Sequence, residues 1–149
     1  YALLPMLGTA YVATGRADWS TMWVGVPVGL ITVAILHANN TRDMETDVRA
    51  DIHTLAMTLG GRASMLLYCA EVLFPFGWVA GCAAGGVFPW WTMLVWLSLV
   101  PALGNVRLMG RYSVAGMEGI SRLDELTAKL QLLFSLLLVL SFVLARVLS

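Results

Sequence analysis

The sequence predicts an all-α fold, in which a bundle of helices crosses a membrane several times. Hydrophobic residues make up 59% of the 149 positions, and only 12% are charged, about half the usual share in a soluble domain. Mean hydropathy is +0.80. Several apolar segments approach the roughly 20 residues that a helix needs to cross the hydrocarbon core. We therefore expect an integral membrane protein in contact with lipid.

Four full spans are predicted, over residues 19–38, 63–84, 87–106 and 126–147. The apolar run 1–13 is too short to cross alone, and the chain begins without Met. We interpret this run as the end of a span that begins upstream, so the chain is expected to be a fragment. The whole of 1–149 is interpreted as part of a single domain.

Basic residues concentrate in the two segments 39–62 and 107–129, which these spans place on the same side of the membrane. The positive-inside rule puts that side in the cytoplasm, or in the matrix or stroma of an organelle. The membrane is then a bacterial inner membrane or a eukaryotic organelle membrane. Acidic residues in the same segments bring the net charge to zero, so neither a generic polybasic lipid patch nor a nucleic-acid surface is expected.

The segment after the first full span holds most of the candidate chemistry. Asn39, Asp43, Asp47 and Asp51 follow one another at four-residue steps. On a helix such residues lie about 40° apart, so the first three share a face and Asp51 drifts toward its edge. Crowded carboxylates repel unless a cation lies among them. Mg²⁺ prefers oxygen ligands and reaches proteins through one or two carboxylates plus substrate phosphates, so we predict a magnesium and diphosphate site.

A family resemblance rests on the run NNTRDMETD, residues 39–47, followed by Thr-Leu-Ala at 54–56 and Leu-Gly at 59–60. The run resembles the second Asp-rich motif of the UbiA-type intramembrane prenyltransferases. It is most similar to the menaquinone-forming branch, which prenylates 1,4-dihydroxy-2-naphthoate in bacteria and includes an animal vitamin K₂ synthase. The block Thr-Ala-Lys-Leu at 127–130 also resembles that branch.

The resemblance implies a bundle of about nine helices in two pseudo-repeated halves around a central cavity. This chain resembles the second half, and the first Asp-rich motif is absent from it. The N-terminal half of the fold is therefore an expected partner, without which the chain should be inactive. The implied activity is transfer of a polyprenyl group from its diphosphate to an aromatic quinone precursor, such as 1,4-dihydroxy-2-naphthoate or a related naphthoquinol.

Residue roles follow from the same resemblance. Asp43 and Asp47 would bind Mg²⁺ against the isoprenoid diphosphate and act as the catalytic pair. Asn39, Asn40 and Arg42 would orient the carboxylates or contact phosphate oxygens, a role that suits the planar fork of arginine.

One position departs from the family pattern. Bacterial relatives usually carry Gly-Lys where this chain has Asp51-Ile52. Asp51 is either a third metal ligand or a solvated loop acid.

Further candidates lie outside the motif. Glu71 lies inside a predicted span, where an ionisable group is costly, and Tyr68 is one turn before it. They either bind the hydroxyls of the acceptor, or Glu71 faces a neighbouring helix in a protonated or snorkelling form. Arg107, Arg111 and Lys129 lie on the motif side, where they either contact diphosphate or merely reflect the positive-inside bias.

The two histidines are not predicted to bind a metal. His37 and His53 lack the spacing of metal ligands, so packing or interfacial roles are favoured.

A non-catalytic helical subunit of a larger membrane complex is the alternative to an enzyme. A transporter is disfavoured, because its ionisable groups should lie near the bilayer midplane and these lie at a span end.

Overall fold

The computed structural model describes residues 3–16, 19–112 and 116–148, apart from the side chain of Met117. These residues form helices and connecting turns, and no strand occurs among them. The α-helices are α1 (Leu3–Thr14), α2 (Thr21–Arg42), α3 (Met44–Arg49), α4 (Leu55–Leu59), α5 (Gly61–Ala84), α6 (Leu99–Gly110) and α7 (Leu123–Leu148); Trp90–Ser98 and Gly116–Ile120 are 3-10 helices.

Within the described residues, four helical segments are long and apolar enough to cross a membrane. They are Thr21–Arg42, Gly61–Ala84, Trp90–Gly110 and Glu118–Leu148, and α1 is a shorter apolar helix. Their bounds lie within a few residues of the predicted spans, except that the last segment begins eight residues earlier, at Glu118 instead of 126. The predicted multi-pass helical membrane bundle is confirmed.

The third span differs from a continuous α-helix. It begins after Pro89 as the 3-10 helix Trp90–Ser98 and becomes α-helical only from Leu99. Pro101 lies in the first turn of α6 and has no N–H to donate to the carbonyl of Leu97, which favours the start of the α-helix at this point. A proline in a first turn is tolerated because that N–H would lack a partner anyway.

The core lies where α2, α5 and α7 pack together. Small residues of α2, such as Ala34 and Ala38, are fully buried and allow close approach of the other two helices. The rings of Phe76 in α5 and Phe134 in α7 meet edge to face, with centroids 5.5 Å apart. This edge-to-face arrangement is favourable for aromatic pairs.

The two basic segments meet at one end of the bundle, which we call the motif end. Arg42, the last residue of α2, bonds Asp124 in the first turn of α7, with Nη1 and Oδ2 2.6 Å apart. Tyr112, just after α6, reaches Met44 at the start of α3. The chain order of the spans predicts this meeting, because α2 and α6 end where α5 and α7 begin.

Candidate functional site

Two backbone hydrogen bonds of helical spacing join Asn39, Asp43 and Asp47. The backbone N–H of Asp43 donates to the carbonyl of Asn39, and that of Asp47 to the carbonyl of Asp43, each at 2.9 Å. The helix itself is interrupted here, because α2 ends at Arg42, α3 begins at Met44, and Asp43 lies between them with φ −92° and ψ 6°. A continuous helical face through all three residues stays a prediction.

Asp51 does not extend this face, so that expectation is wrong. Helix α3 ends at Arg49, and Asp51 has a φ of +56°, in the left-handed region. The N–H of Ile52 donates to the carbonyl of Asp47, and the N–H of Asp51 to that of Val48. This pair of bonds is a Schellman motif, which ends a helix and whose left-handed residue is usually glycine. Metal ligation by Asp51 stays a prediction, now without helical geometry to support it.

The guanidinium group of Arg42 donates hydrogen bonds to two other residues of the motif, Asn39 and Asp43. Its Nε and Nη2 donate to the two carboxylate oxygens of Asp43 at 2.8 and 2.9 Å, which is a bidentate pair. Nη2 also donates to Oδ1 of Asn39 at 2.6 Å. With the Asp124 bond, four of its five N–H donors are used. Arg42 therefore fixes the carboxylate of Asp43, and no bond joins it to Asp47 within the described residues. Its predicted contact with phosphate stays a prediction.

The two motif carboxylates differ in their surroundings. Hydrogen bonds from Arg42 lower the pKa of Asp43 below its ordinary value; partial burial opposes this and the positive charge of Arg42 adds to it. Asp43 is therefore ionised at neutral pH. Asp47 is half-buried and makes no side-chain hydrogen bond or ion pair within the described residues. Asn40, also half-buried, likewise has no such partner there.

The donor set fits a magnesium ion shared with a substrate. Within the described part of the chain, no three His, Cys, Asp or Glu side chains are arranged to hold a metal ion. Asp43 and Asp47 supply two carboxylates four residues apart, and the oxygens of Asp43 keep free lone pairs beside their bonds to Arg42. That set suits Mg²⁺, which completes its shell with water and phosphate oxygens, and does not suit an all-protein cage.

Glu71 faces the neighbouring helix α2, where it pairs with His37. Oε2 of Glu71 and Nδ1 of His37 are 3.1 Å apart, and both side chains are buried. Sequence analysis missed this pair. The available signal was the presence of two ionisable residues in consecutive antiparallel spans, where each is expected to find a partner. Binding of the acceptor by Glu71 stays a prediction.

Tyr68 connects α5 to α7. It is fully buried, and its hydroxyl lies 2.6 Å from Oγ1 of Thr127. Because Thr127 donates to the carbonyl of Leu123, Tyr68 is the donor in this pair. The hydroxyl proton is thus used within the bundle, and binding of the acceptor by Tyr68 stays a prediction.

Asp124 is the site residue that sequence analysis missed. It joins Arg42, and through it Asp43, to the start of the last span. Its position in a helical first turn on the motif side was visible, but nothing in the sequence singles it out from Glu125. Arg107, Arg111 and Lys129, by contrast, line a cavity between α6 and α7.

Comparison with known proteins gives the family. Residues 1–115 match the model of the UbiA prenyltransferase family. The chain belongs to this family. UbiA prenyltransferase domain-containing protein 1 of Gallus gallus is 33% identical over 134 residues, which cover 90% of this chain and 38% of that protein.

Other relatives match shorter stretches. The Drosophila melanogaster homolog of that protein is 49% identical over 63 residues, 42% of this chain and 18% of the relative. The 1,4-dihydroxy-2-naphthoate octaprenyltransferase of Mycobacterium tuberculosis is 43% identical over 63 residues, 42% of this chain and 22% of the enzyme. The chain thus spans well under half the length of these relatives. No solved structure matches it.

Proposed function

We propose that the protein is a magnesium-dependent polyprenyltransferase, and that the motif end of this chain binds the metal and the diphosphate of the prenyl donor. The observation that carries the proposal is the succession of Asn39, Asp43 and Asp47 at the end of a span, where the N–H of Asp43 bonds the carbonyl of Asn39 and the N–H of Asp47 that of Asp43. One of the two carboxylates is fixed by arginine, while the other is free to meet a ligand. Membership of the UbiA family supplies the reaction class.

Asp43 and Asp47 would hold the ion against the diphosphate. When bound, Mg²⁺ acts as a Lewis acid that neutralises the charge developing on the leaving diphosphate. Arg42 holds Asp43 in one orientation, so that this carboxylate does not reorganise as the charge develops. Asn39 supports the same guanidinium from the preceding turn.

The apolar spans provide the second requirement of the chemistry. Departure of diphosphate leaves an allylic cation, which water would capture in an open site. A site enclosed by apolar helices keeps water away until an electron-rich aromatic carbon attacks. The lipid phase around the spans also accommodates the polyprenyl tail.

For the acceptor we propose 1,4-dihydroxy-2-naphthoate or a related naphthoquinol. Relatives from Mycobacterium tuberculosis and Bacillus subtilis bear the name 1,4-dihydroxy-2-naphthoate octaprenyltransferase. Incubation of the full-length protein with this acid, homogentisate or 4-hydroxybenzoate and a labelled polyprenyl diphosphate tests the choice. Preferential labelling of either alternative acceptor would contradict it.

For orientation we propose that the motif end faces the cytoplasm, or the matrix or stroma. The basic residues of segments 39–62 and 107–129 lie at this end, as the positive-inside rule requires.

Substitution of the paired carboxylates tests the mechanism in the full-length protein. Asp43→Asn and Asp47→Asn should each lower Mg²⁺-dependent transfer about 100-fold or more, a typical loss for a group that stabilises developing charge. Glu45→Gln is the matched control, since Glu45 is an exposed acid of α3 between the two. Unchanged turnover in both Asn variants, with membrane insertion intact, would refute the proposal.

A non-catalytic membrane subunit is the second candidate. It is favoured by the engagement of both oxygens of Asp43 with Arg42, which by itself serves to tie helices together. In that case Asp43→Asn would weaken assembly with a partner, and Asp47→Asn, which breaks no contact within the described residues, would have no effect.

A further inference from the structure

A cavity of about 590 Å³ lies between α6 and α7 at the motif end. Its volume is within the range of roughly 300 to 1,000 Å³ that is common for small-molecule sites. Asn105 and Arg107 of α6 and Arg111, just after that helix, line one wall together with apolar residues. The α7 wall is formed by Leu126, Leu130 and Leu133 and is apolar except for Lys129.

Asn105 provides a buried donor at this cavity. The side chain is only 4% exposed, and Nδ2 has no hydrogen-bond partner within the described residues. It lies near the Tyr68 hydroxyl without reaching hydrogen-bond geometry. Buried N–H groups are rarely left without an acceptor. Because Asn105 lies in the cavity wall, an occupant with an acceptor oxygen would complete the hydrogen bonding of Nδ2.

Arg107 and Arg111 give the cavity a positive mouth. They lie one turn apart at the end of α6, both are exposed, and neither has an ion pair or a side-chain hydrogen bond in the described part of the chain. Lys129 also lines the cavity, but its charge is paired with Glu125, with Nζ and Oε1 2.6 Å apart. Since no acid lines the cavity, its occupant should carry negative charge.

The cavity lies on a different side of α7 from Asp43 and Asp47. Asp124 turns toward Arg42, whereas Leu133, nine residues later, lines the cavity. Nine residues rotate about 180° around a helix at about 100° each. Given the proposed function, the diphosphate and the aromatic acceptor meet beside Asp43 and Asp47, so the head group held in this cavity belongs to another molecule.

We propose that this cavity binds an anionic phospholipid of the surrounding membrane. Its phosphate would meet Arg107 and Arg111, an ester or phosphate oxygen would accept from Asn105 Nδ2, and an acyl chain would lie along the leucines of α7. The lining on the α6 side extends from Pro101 to Arg111, about 15 Å at 1.5 Å per residue. Basic pockets between membrane helices on the cytoplasmic side are typical sites for lipid head groups.

Lipid retention by the full-length protein tests the charge requirement. We would add dioleoyl phosphatidylglycerol and dioleoyl phosphatidylcholine, which share their acyl chains, and count retained lipids by native mass spectrometry. The unmodified protein should retain the anionic lipid about tenfold better, and Arg107→Gln/Arg111→Gln should abolish the preference. Arg62→Gln/Arg122→Gln removes the same charge from exposed positions outside this cavity and should keep the preference.

Filling the cavity tests the location independently of charge. A Cβ added at Gly104, which lines the cavity, meets nothing within 4 Å, and the same holds for Gly110 on the same helix. Gly104→Leu should lower retention of phosphatidylglycerol about tenfold without lowering the unfolding temperature, while Gly110→Leu retains the lipid.

Three outcomes would overturn the proposal. These are equal retention of the two lipids, an equal loss in the Arg62→Gln/Arg122→Gln control, and displacement of the anionic lipid by farnesyl diphosphate, which would make the cavity a donor site. Asp47→Asn separates this proposal from the proposed function, because it should abolish transfer and leave lipid retention unchanged.

Discussion

The direction of the hydrogen bond between Tyr68 and Thr127 predicts which of two substitutions lowers the unfolding free energy more. Tyr68 donates and Thr127 accepts, because the Thr127 proton is already given to Leu123. Tyr68→Phe removes the donor and leaves no buried donor unpaired, so it should cost about 0.5–1.5 kcal/mol of unfolding free energy. Thr127→Val leaves the fully buried Tyr68 hydroxyl without its acceptor and should cost about 1–3 kcal/mol.

The double variant separates the loss of the hydrogen bond from the cost of leaving a buried donor without an acceptor. In Tyr68→Phe/Thr127→Val no donor is stranded, so its cost should be no greater than that of Thr127→Val alone. Unfolding in mixed detergent micelles, followed by circular dichroism, measures all three free energies. Thr32→Val is the control, because Thr32 only donates to the carbonyl of Val28 on its own helix. If Tyr68→Phe costs more than Thr127→Val, the assigned direction of the bond is wrong.

Two further predictions concern the motif itself. Asp51→Gly should raise the unfolding free energy by about 0.5–1 kcal/mol, because glycine adopts the left-handed conformation of this position without steric cost; a fall in Mg²⁺ affinity instead would show that Asp51 is a ligand. Arg42 lowers the pKa of Asp43 in the folded protein below its unfolded value of about 3.9. The stabilisation from this pair is therefore complete above the unfolded pKa and is lost as the pH falls through the lower pKa of the folded state. Asp43→Asn should remove that part of the acid sensitivity in a pH series of unfolding temperatures, and an unchanged profile would contradict the pairing.

The sequence determined the features that depend on local length and period. The four spans follow from the apolar length that a membrane requires. The bonds from Asp43 to Asn39 and from Asp47 to Asp43 follow from the four-residue spacing, because helical hydrogen bonds join residues that are close in the chain. The left-handed conformation of Asp51 was not predicted.

Only the tertiary structure decided which side chains meet across helices. The pairs Arg42–Asp124, His37–Glu71 and Tyr68–Thr127 join residues 82, 34 and 59 positions apart in the chain. Each depends on how far one helix is rotated and shifted against another, which is set by the packing of many side chains together. The period of a single helix does not contain that information, so the partners of the motif emerged only from the assembled bundle.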